Sequence, residues 1–153
     1  MTLSELLTNN IVLPKTPSSS KDELISILMD RIYSEEKMPE LPQNEVQKMI
    51  DNREEIGGTL LPSGLSIPHA RLKGYEGFIL ALATPAEPLF YGEAQIRLMA
   101  LMLTSQSGGI YYLPTLAALT KISRDEGIML SLNKAETPED FIGIIKQNDL
   151  VLL

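Results

Sequence analysis

The side chain best suited to chemistry is His69, the only histidine in the chain. It follows Pro68 after a short apolar segment, Leu65 to Ile67, which predicts a strand that ends in a turn. A neutral imidazole can act as a nucleophile through one ring nitrogen without a separate base. We therefore expect the chemistry of this protein to take place at His69.

Two kinds of reaction suit such an imidazole. General acid–base catalysis normally needs a paired carboxylate, whereas phosphoryl transfer through a phosphohistidine depends more on positioning and on cations. Arg53 favours the second reaction, because it extends the apolar face that Val46, Met49 and Ile50 form on a predicted helix. A guanidinium on a buried face needs an anionic partner or must reach an edge. Pairing with a nearby glutamate is the alternative explanation for Arg53.

A glycine-rich loop between the predicted helix and His69 also favours phosphoryl chemistry. Backbone N–H groups in such loops, like those at helix N-termini, bind phosphoryl oxygens. A serine hydrolase is disfavoured, since Ser63 and Ser66 are near in sequence but no GxSxG elbow occurs. The loop residues concerned are Gly57, Gly58, Thr59 and Gly64.

The composition excludes several other kinds of site. The chain has no cysteine, so it holds no disulfide, no thiolate nucleophile and no Cys-ligated metal, and one histidine excludes a His-rich metal site. We expect neither a metal nor an organic cofactor. Acidic residues outnumber basic ones 20 to 13, and the net charge of −7 repels nucleic acid and anionic lipid surfaces. A basic protein partner suits this charge better.

The length and hydropathy pattern indicate one domain that spans residues 1 to 153. The longest apolar runs, Phe78 to Ala83 and Leu98 to Leu103, are much shorter than the roughly 20 residues that span a bilayer. The N-terminus lacks a basic region followed by an apolar segment. We therefore expect a cytoplasmic protein that does not insert into a membrane.

Helices and apolar strands alternate along the chain, which predicts an α/β fold with a mixed sheet flanked by helices on both faces. Two near-continuous apolar runs, Phe78 to Thr84 and Ile96 to Thr104, are typical of central strands covered on both sides. Leu89 to Tyr91 is predicted as a short edge strand. The expected helices are a short one at Thr2 to Leu7, one capped by Ser20 and Glu23, one from Pro42 to about Glu55, one opened by Pro114 with Leu113, Leu116 and Ala117 on its apolar face, one at Asp125 to Leu132, and one capped by Thr137; a short strand is expected at Ile11 to Leu13.

The stretch around His69 resembles the signature of the type-2 IIA domains of the bacterial phosphoenolpyruvate:sugar phosphotransferase system, the fructose/mannitol and nitrogen-regulatory group. The resemblance covers nearly the whole chain and implies the mannitol-specific IIA-like fold. It implies that His69 accepts a phosphoryl group from the phosphocarrier HPr through Nε2 and passes it to a IIB partner or carries it as a regulatory mark. The residues that carry the resemblance are Arg53, Glu54, Gly57, Thr59, Gly64, Ile67, Pro68 and His69.

The same resemblance assigns roles to three further side chains. Arg53 steadies the phosphoryl oxygens, Thr59 supports the loop, and Tyr112 occupies the position of the family's second active-site histidine. A phenol donates one hydrogen bond to a phosphoryl oxygen but brings no positive charge. A regulatory IIA protein that transports no sugar, and an interaction protein with an inactive site, are therefore alternatives to a carrier.

Two other departures from the family pattern lie near the histidine. Leu60 and Pro62 stand where the family has glycines, and Ala70 stands where glycine is common after the histidine. These changes remove backbone freedom near the site. An apolar patch around the His69 loop is expected to contact the partner, and its candidate residues are Leu60, Leu61 and Leu65, of which Leu65 is the best candidate for plain core.

Overall fold

The computed structural model describes all residues from 1 to 153 and contains six helices and seven strands. None of the helices combines the length and the apolar character needed to span a bilayer. In chain order the elements are α1 (Leu3–Thr8), β1 (Ile11–Thr16), α2 (Lys21–Ser34), α3 (Gln43–Gly57), β2 (Leu65–Ser66), β3 (His69–Leu72), β4 (Phe78–Pro85), β5 (Leu89–Tyr91), β6 (Ala94–Ile96), β7 (Leu98–Ser105), α4 (Tyr112–Ser123), α5 (Glu126–Lys134) and α6 (Pro138–Gln147).

The main sheet is mixed, as predicted, and β7 is its central strand. It pairs antiparallel with β4 and parallel with both β2 and β3, while β1 lies parallel to β4 at the far edge. The short edge strand predicted at Leu89 to Tyr91 is present as β5, but it does not belong to the main sheet. That segment pairs only with β6, because Gly92, with φ of +64°, allows a two-residue turn that folds the two strands into a separate hairpin.

Both faces of the sheet are covered, which explains the continuous apolar runs in β4 and β7. Side chains from alternate positions of each strand enter one of two cores. Helices α1, α4, α5 and α6 close the core that contains Leu80, Leu82 and Met102. Helices α2 and α3 close the other core, which contains Leu101 and Leu103. The predicted α/β class with helices on both faces is confirmed.

Helices α2 and α6 begin at the capping residues that the sequence predicts, although one capping contact of α2 reaches a different residue. Ser20 Oγ accepts from the Glu23 N–H at 3.1 Å, and the Glu23 carboxylate reaches back to the N–H and hydroxyl of Ser19, one residue earlier than a reciprocal capping box requires. Thr137 caps α6 by accepting from the Asp140 N–H at 3.1 Å. These side chains satisfy backbone donors that a helix leaves free in its first turn.

The buried face of α4 differs from the prediction. The helix begins at Tyr112, two residues before Pro114, and Tyr112 faces the core. Leu113, predicted on the apolar face, is instead 67% exposed. The buried residues repeat at helical spacing from Tyr112 onward, so the start of the helix fixes which face is inward. They are Tyr112, Thr115, Ala118, Leu119, Ile122 and Ser123.

A buried ion pair connects α2, α3 and the β5–β6 hairpin. Glu54 Oε2 lies 3.6 Å from Lys21 Nζ, and their side chains are 10% and 7% exposed. The ammonium of Lys21 also lies 3.9 Å from the ring centroid of Tyr91. A Cβ at position 58 would overlap the Glu54 carboxylate, so Gly58 lets the end of α3 close over the pair. This contact fixes the C-terminal turn of α3.

We expect Glu54→Ala to lower the free energy of unfolding by about 3 kcal/mol, because it leaves the Lys21 ammonium buried without a counter-charge. Equilibrium urea denaturation followed by circular dichroism measures the change. The matched control is Glu35→Ala, which breaks the exposed Arg31–Glu35 pair and should cost about 0.5 kcal/mol or less. Equal losses in the two variants would show that the Lys21–Glu54 contact does not stabilise the fold.

Candidate functional site

His69 occupies a break in the edge of the main sheet. The strands β2 and β3 both pair with β7, and Ile67 and Pro68 separate them. Pro68 has no N–H to donate to a ladder, although its carbonyl still accepts from the Met102 N–H at 3.0 Å. Pairing resumes with His69 opposite Met102. His69 therefore begins a strand, and the prediction that it follows the end of one is incomplete.

The peptide groups of Ile67 hold the imidazole in place. The Ile67 N–H donates to the Thr59 carbonyl at 2.8 Å, and the Ile67 carbonyl lies 2.9 Å from His69 Nδ1. Because a carbonyl oxygen only accepts, Nδ1 must carry the hydrogen in this contact, and the lone pair of Nε2 is left free. Thr59 therefore does not touch the imidazole. Its carbonyl holds the Ile67 peptide, and the Ile67 carbonyl holds His69 Nδ1.

Arg53 lies beside His69 but is not on the buried face of α3. That face passes from Ile50 to Glu54, so Arg53 is turned toward the edge and is half-buried. Arg53 Nη1 donates to the Gly57 carbonyl at 2.9 Å, and no glutamate forms an ion pair with it. The pairing with glutamate is therefore wrong, as is the placement of Arg53 on the buried face, and the guanidinium instead reaches an edge, the other possibility that the sequence left open. The remaining N–H donors of Arg53 are available to a ligand.

An open cavity of about 400 Å³ brings Arg53 and His69 together with a second arginine, Arg71. Sequence reasoning missed Arg71 because it assigned no strand beyond His69. Residues two apart on a strand share a face, so β3 places Arg71 on the side of His69. Strand alternation after the Pro-His pair was the signal that could have found it. The cavity is lined by Met49, Asn52, Arg53, Ile56, His69, Ala70 and Arg71.

Tyr112 lies against both His69 and Arg71. Its ring centroid is 5.9 Å from that of His69, and the two planes are inclined by 47°. The guanidinium carbon of Arg71 is 5.1 Å from the same ring centroid. Tyr112 is the first residue of α4, which has no side-chain cap, so the positive end of this helix lies near His69.

The glycine-rich loop does not provide the phosphoryl cradle that the sequence predicts. The N–H of Gly58 donates to the Glu54 carbonyl at 3.1 Å, and that of Gly64 donates to the Leu61 carbonyl at 2.9 Å. Neither glycine lines the cavity at His69. Gly64 has φ of +93°, and a Cβ there would lie 2.9 Å from Arg97 Cγ. This loop therefore needs its glycines for backbone conformation and close packing.

The exposed apolar residues near the site are also not the predicted ones. Leu65 is fully buried, and Leu60 and Leu61 are half-buried against the two cores. The rim of the cavity instead exposes Met49 and Ile56, the latter to 84%. Ile110 and Leu113, on either side of Tyr112 in the chain, are exposed as well.

A larger groove of about 730 Å³ between α2 and α3 has the wrong charge for an anionic ligand. Five carboxylates and a single ammonium line it, so a phosphoryl group would be repelled there. No group of three or more histidine, aspartate or glutamate side chains is placed to hold a metal ion. The carboxylates are those of Asp22, Asp30, Asp51, Glu54 and Glu55.

The geometry at His69 is suited to one kind of chemistry. His69, whose Nδ1 is held by the Ile67 carbonyl, lines a solvent-open cavity together with two arginines, Arg53 and Arg71. No carboxylate lines this cavity, so a partner for general acid–base catalysis is missing. An imidazole nucleophile with cations and without a base can accept a phosphoryl group.

Comparisons with known proteins agree with this chemistry. A family model described as phosphoenolpyruvate-dependent sugar phosphotransferase system, EIIA 2, matches residues 5–148. The match covers nearly the whole chain and includes His69, Arg53, Arg71 and Tyr112.

Two curated proteins and one solved structure illustrate the range of relatives. The 2-O-alpha-mannosyl-D-glycerate-specific EIIABC component of Escherichia coli K12 is 26% identical over 132 residues, which are 83% of this chain but only 20% of that protein. A nitrogen regulatory protein of Bradyrhizobium diazoefficiens is 25% identical over 151 residues and 95% of each chain. In the Escherichia coli complex of mannitol enzyme IIA with phosphorylated enzyme IIB, a chain with 14% identity has the same fold, with a TM-score of 0.67 over 89% of this chain and 94% of that one.

We expect neutral His69 to carry its hydrogen on Nδ1, because the Ile67 carbonyl can only accept. Long-range ¹H–¹⁵N correlation spectra measure the tautomer directly, and a tag-free sample gives a single imidazole. The same sample in concentrated urea is the control, since unfolding removes the Ile67 contact. A folded-state spectrum with the hydrogen on Nε2 would contradict this assignment of the nucleophile.

Proposed function

Because the chain belongs to the EIIA 2 family of the phosphoenolpyruvate-dependent sugar phosphotransferase system, we propose that His69 is its phosphoryl acceptor. The donor is the phosphocarrier HPr, and the recipient is a IIB component. IIA domains of this system partner with IIB components, as the mannitol complex illustrates. The observation that carries the proposal is the contact of His69 Nδ1 with the Ile67 carbonyl, which leaves Nε2 without a partner, in a residue that lines the same cavity as Arg53.

The transfer is an in-line exchange between two nitrogen atoms. The lone pair of His69 Nε2 forms a bond to phosphorus, the nitrogen–phosphorus bond of phospho-HPr breaks, and the leaving nitrogen keeps its electron pair. Nδ1 retains its hydrogen on the Ile67 carbonyl, so the positive charge that develops on the imidazole lies next to a carbonyl oxygen. The catalytic contribution of the protein is alignment and charge stabilisation.

Arg53 stabilises the phosphoryl oxygens in this reaction. One of its N–H groups is occupied by the Gly57 carbonyl, which limits the movement of the guanidinium, while its other donors stay free. Thr59 supports the arrangement through the Ile67 peptide. The two roles differ, since Arg53 contacts the phosphoryl group and Thr59 only positions the residue that holds the imidazole.

The docking surface for HPr and IIB is the set of exposed apolar side chains at and beside the cavity, which we call the apolar rim. Met49, Ile56, Ile110 and Leu113 expose apolar area around or beside the site, which the core of a protein interface requires. The net charge of −7 favours a partner with a basic surface, which speeds encounter. Because HPr acts in the cytoplasm, this proposal also locates the chain there. Residues 1–153 would act as one IIA domain.

A second candidate function is regulation by the phosphorylation state of His69, without sugar transport. The similarity to a nitrogen regulatory protein over 95% of each chain favours it. A phosphoryl group adds negative charge in the middle of the apolar rim, so the two states present different surfaces to a target protein. The carrier and the regulator share the loading of His69 and differ in the fate of its phosphoryl group.

We expect the wild-type protein, incubated with phosphoenolpyruvate, enzyme I and HPr, to gain one acid-labile phosphoryl group, and His69→Ala to gain none. Arg53→Ala should slow the gain about a hundredfold, since it removes a donor to the developing charge. Intact-mass spectrometry over time measures both. Arg124→Ala, which removes an exposed arginine at the far end of α4, is the control and should behave as wild type. An unmodified wild type with HPr from its own organism would rule out the carrier and the phospho-regulator together.

Onward transfer separates the two candidates. If the protein is a carrier, adding IIB components from the same organism to the phosphorylated protein should remove the label from His69 within seconds to minutes. If it is a regulator, the label should persist with every IIB component, and target binding should differ between the phosphorylated and the unmodified form. Radiolabelled transfer followed on gels distinguishes the outcomes, and the same mixtures prepared with His69→Ala serve as the blank.

A further inference from the structure

We propose that Arg71 is a second catalytic cation, which binds the oxygens of the phosphoryl group on His69, and that Tyr112 is the positioning residue that holds its guanidinium. This inference rests on the proposed function of His69 as a phosphoryl acceptor. It assigns a role to a side chain that neither the sequence pattern nor the family match identifies.

The first observation is the position of Arg71 on β3. His69 and Arg71 are two residues apart on one strand, so their side chains leave the same face, while Ala70 and Leu72 between and after them are buried on the other. Two residues of strand span about 6.6 Å, which an arginine side chain reaches across easily. Both side chains line the same cavity, together with Arg53.

The second observation is that the guanidinium is held on two sides without using its donors. Its carbon lies 5.1 Å from the Tyr112 ring centroid, within the range of a cation–π contact. On another side, a Cβ at Gly108 would lie 3.7 Å from Arg71 Nη1, so the loop before α4 approaches the guanidinium closely. The side chain of Arg71 forms no hydrogen bond and no ion pair within the chain. All five of its N–H donors are therefore available to an anion.

The third argument is the charge of the ligand. A phosphoryl group on a histidine carries up to two negative charges, and Arg53 supplies only one positive charge. Tyr112 lies against His69, with their ring centroids 5.9 Å apart, but its phenol adds no positive charge. Arg71 is the other cation that lines the cavity, so it completes the neutralisation and approaches from the strand side while Arg53 approaches from α3.

The two cations do different work because their surroundings differ. Arg53 is half-buried and bonded to the Gly57 carbonyl, whereas Arg71 is exposed and lies over the Tyr112 ring without a hydrogen bond from its side chain. A guanidinium is planar and can bind two oxygens at once, which an ammonium on a flexible stem cannot do. The effect of Arg71 should therefore depend on planarity as well as on charge.

The test uses potassium phosphoramidate, a small donor that loads histidine without any protein partner. The Nε2 lone pair forms the bond to phosphorus, and the phosphorus–nitrogen bond of phosphoramidate breaks as ammonia leaves with the proton it needs. We expect Arg71→Ala to slow loading of His69 about tenfold and to shorten the lifetime of the phosphohistidine, both followed by intact mass. Arg71→Lys should recover part of the rate. Arg124→Ala is again the matched control, because it removes an exposed arginine outside the site.

Tyr112 variants test how the guanidinium is held. Tyr112→Phe keeps the ring face and removes only the hydroxyl, so it should retain more of the loading rate than Tyr112→Leu, which removes the ring. Circular dichroism melting of each variant confirms that it is folded, since Tyr112 is buried. Because Arg71 is exposed, Arg71→Ala keeps the test informative even if a Tyr112 variant unfolds.

Parallel loading from phospho-HPr separates this inference from the proposed function. A slower Arg71→Ala with both donors supports the inference. A defect with phospho-HPr alone would mean that Arg71 contacts the partner, and unchanged rates with both donors would exclude any role; either result overturns the inference and leaves the proposed function intact. A wild type that loads from phosphoramidate but not from phospho-HPr defeats the proposed function, and the phosphoramidate rates of Arg71→Ala still decide the inference. A wild type that loads from neither donor defeats both.

Discussion

The site depends on one interruption of a β-ladder. Pro68 cannot donate to β7, and the chain leaves the sheet for the length of one peptide before it returns. That departure frees both polar groups of Ile67 from the ladder, one for the Thr59 carbonyl and the other for His69 Nδ1. The imidazole is therefore oriented by the backbone, whose position the central strand fixes. A main-chain acceptor cannot titrate or rotate away, so the fold itself specifies which nitrogen of His69 stays free.

The charge distribution depends on a second constraint, the direction in which α3 turns its charged residues. Glu54 points inward to Lys21, and the residue before it on the helix must then point to the side. That side is the cavity at His69, where Arg53 has no carboxylate to neutralise it. The surplus of carboxylates lies in the neighbouring groove between α2 and α3. An acidic protein thus keeps a local cationic site by separating opposite charges onto two faces of one helix.

The sequence was sufficient for the features that depend on local pattern and insufficient for those set by tertiary contacts. Continuous apolar runs predicted β4 and β7, and the proline before the lone histidine located the site. The helical period placed Arg53 on the inward face of α3, where the structure has Glu54, because the choice between the two depends on Lys21 from another helix. The same holds for Leu113, which is exposed because α4 begins two residues earlier than Pro114 indicated. Arg71 was missed for a simpler reason, since the alternation that could have found it extends over a strand of only four residues.

Tyr112 and Arg71 meet at the candidate site from two different elements, α4 and β3. A phenol brings no charge, yet its ring offers a negative face, and a guanidinium already present on the adjacent strand can lie against it. The charge then comes from β3 and the orientation from α4, so neither element alone makes the cation effective. The guanidinium is exposed and packs only against a ring and a glycine loop, so a protein that docks at this site can reach it, whether that protein donates a phosphoryl group or responds to one.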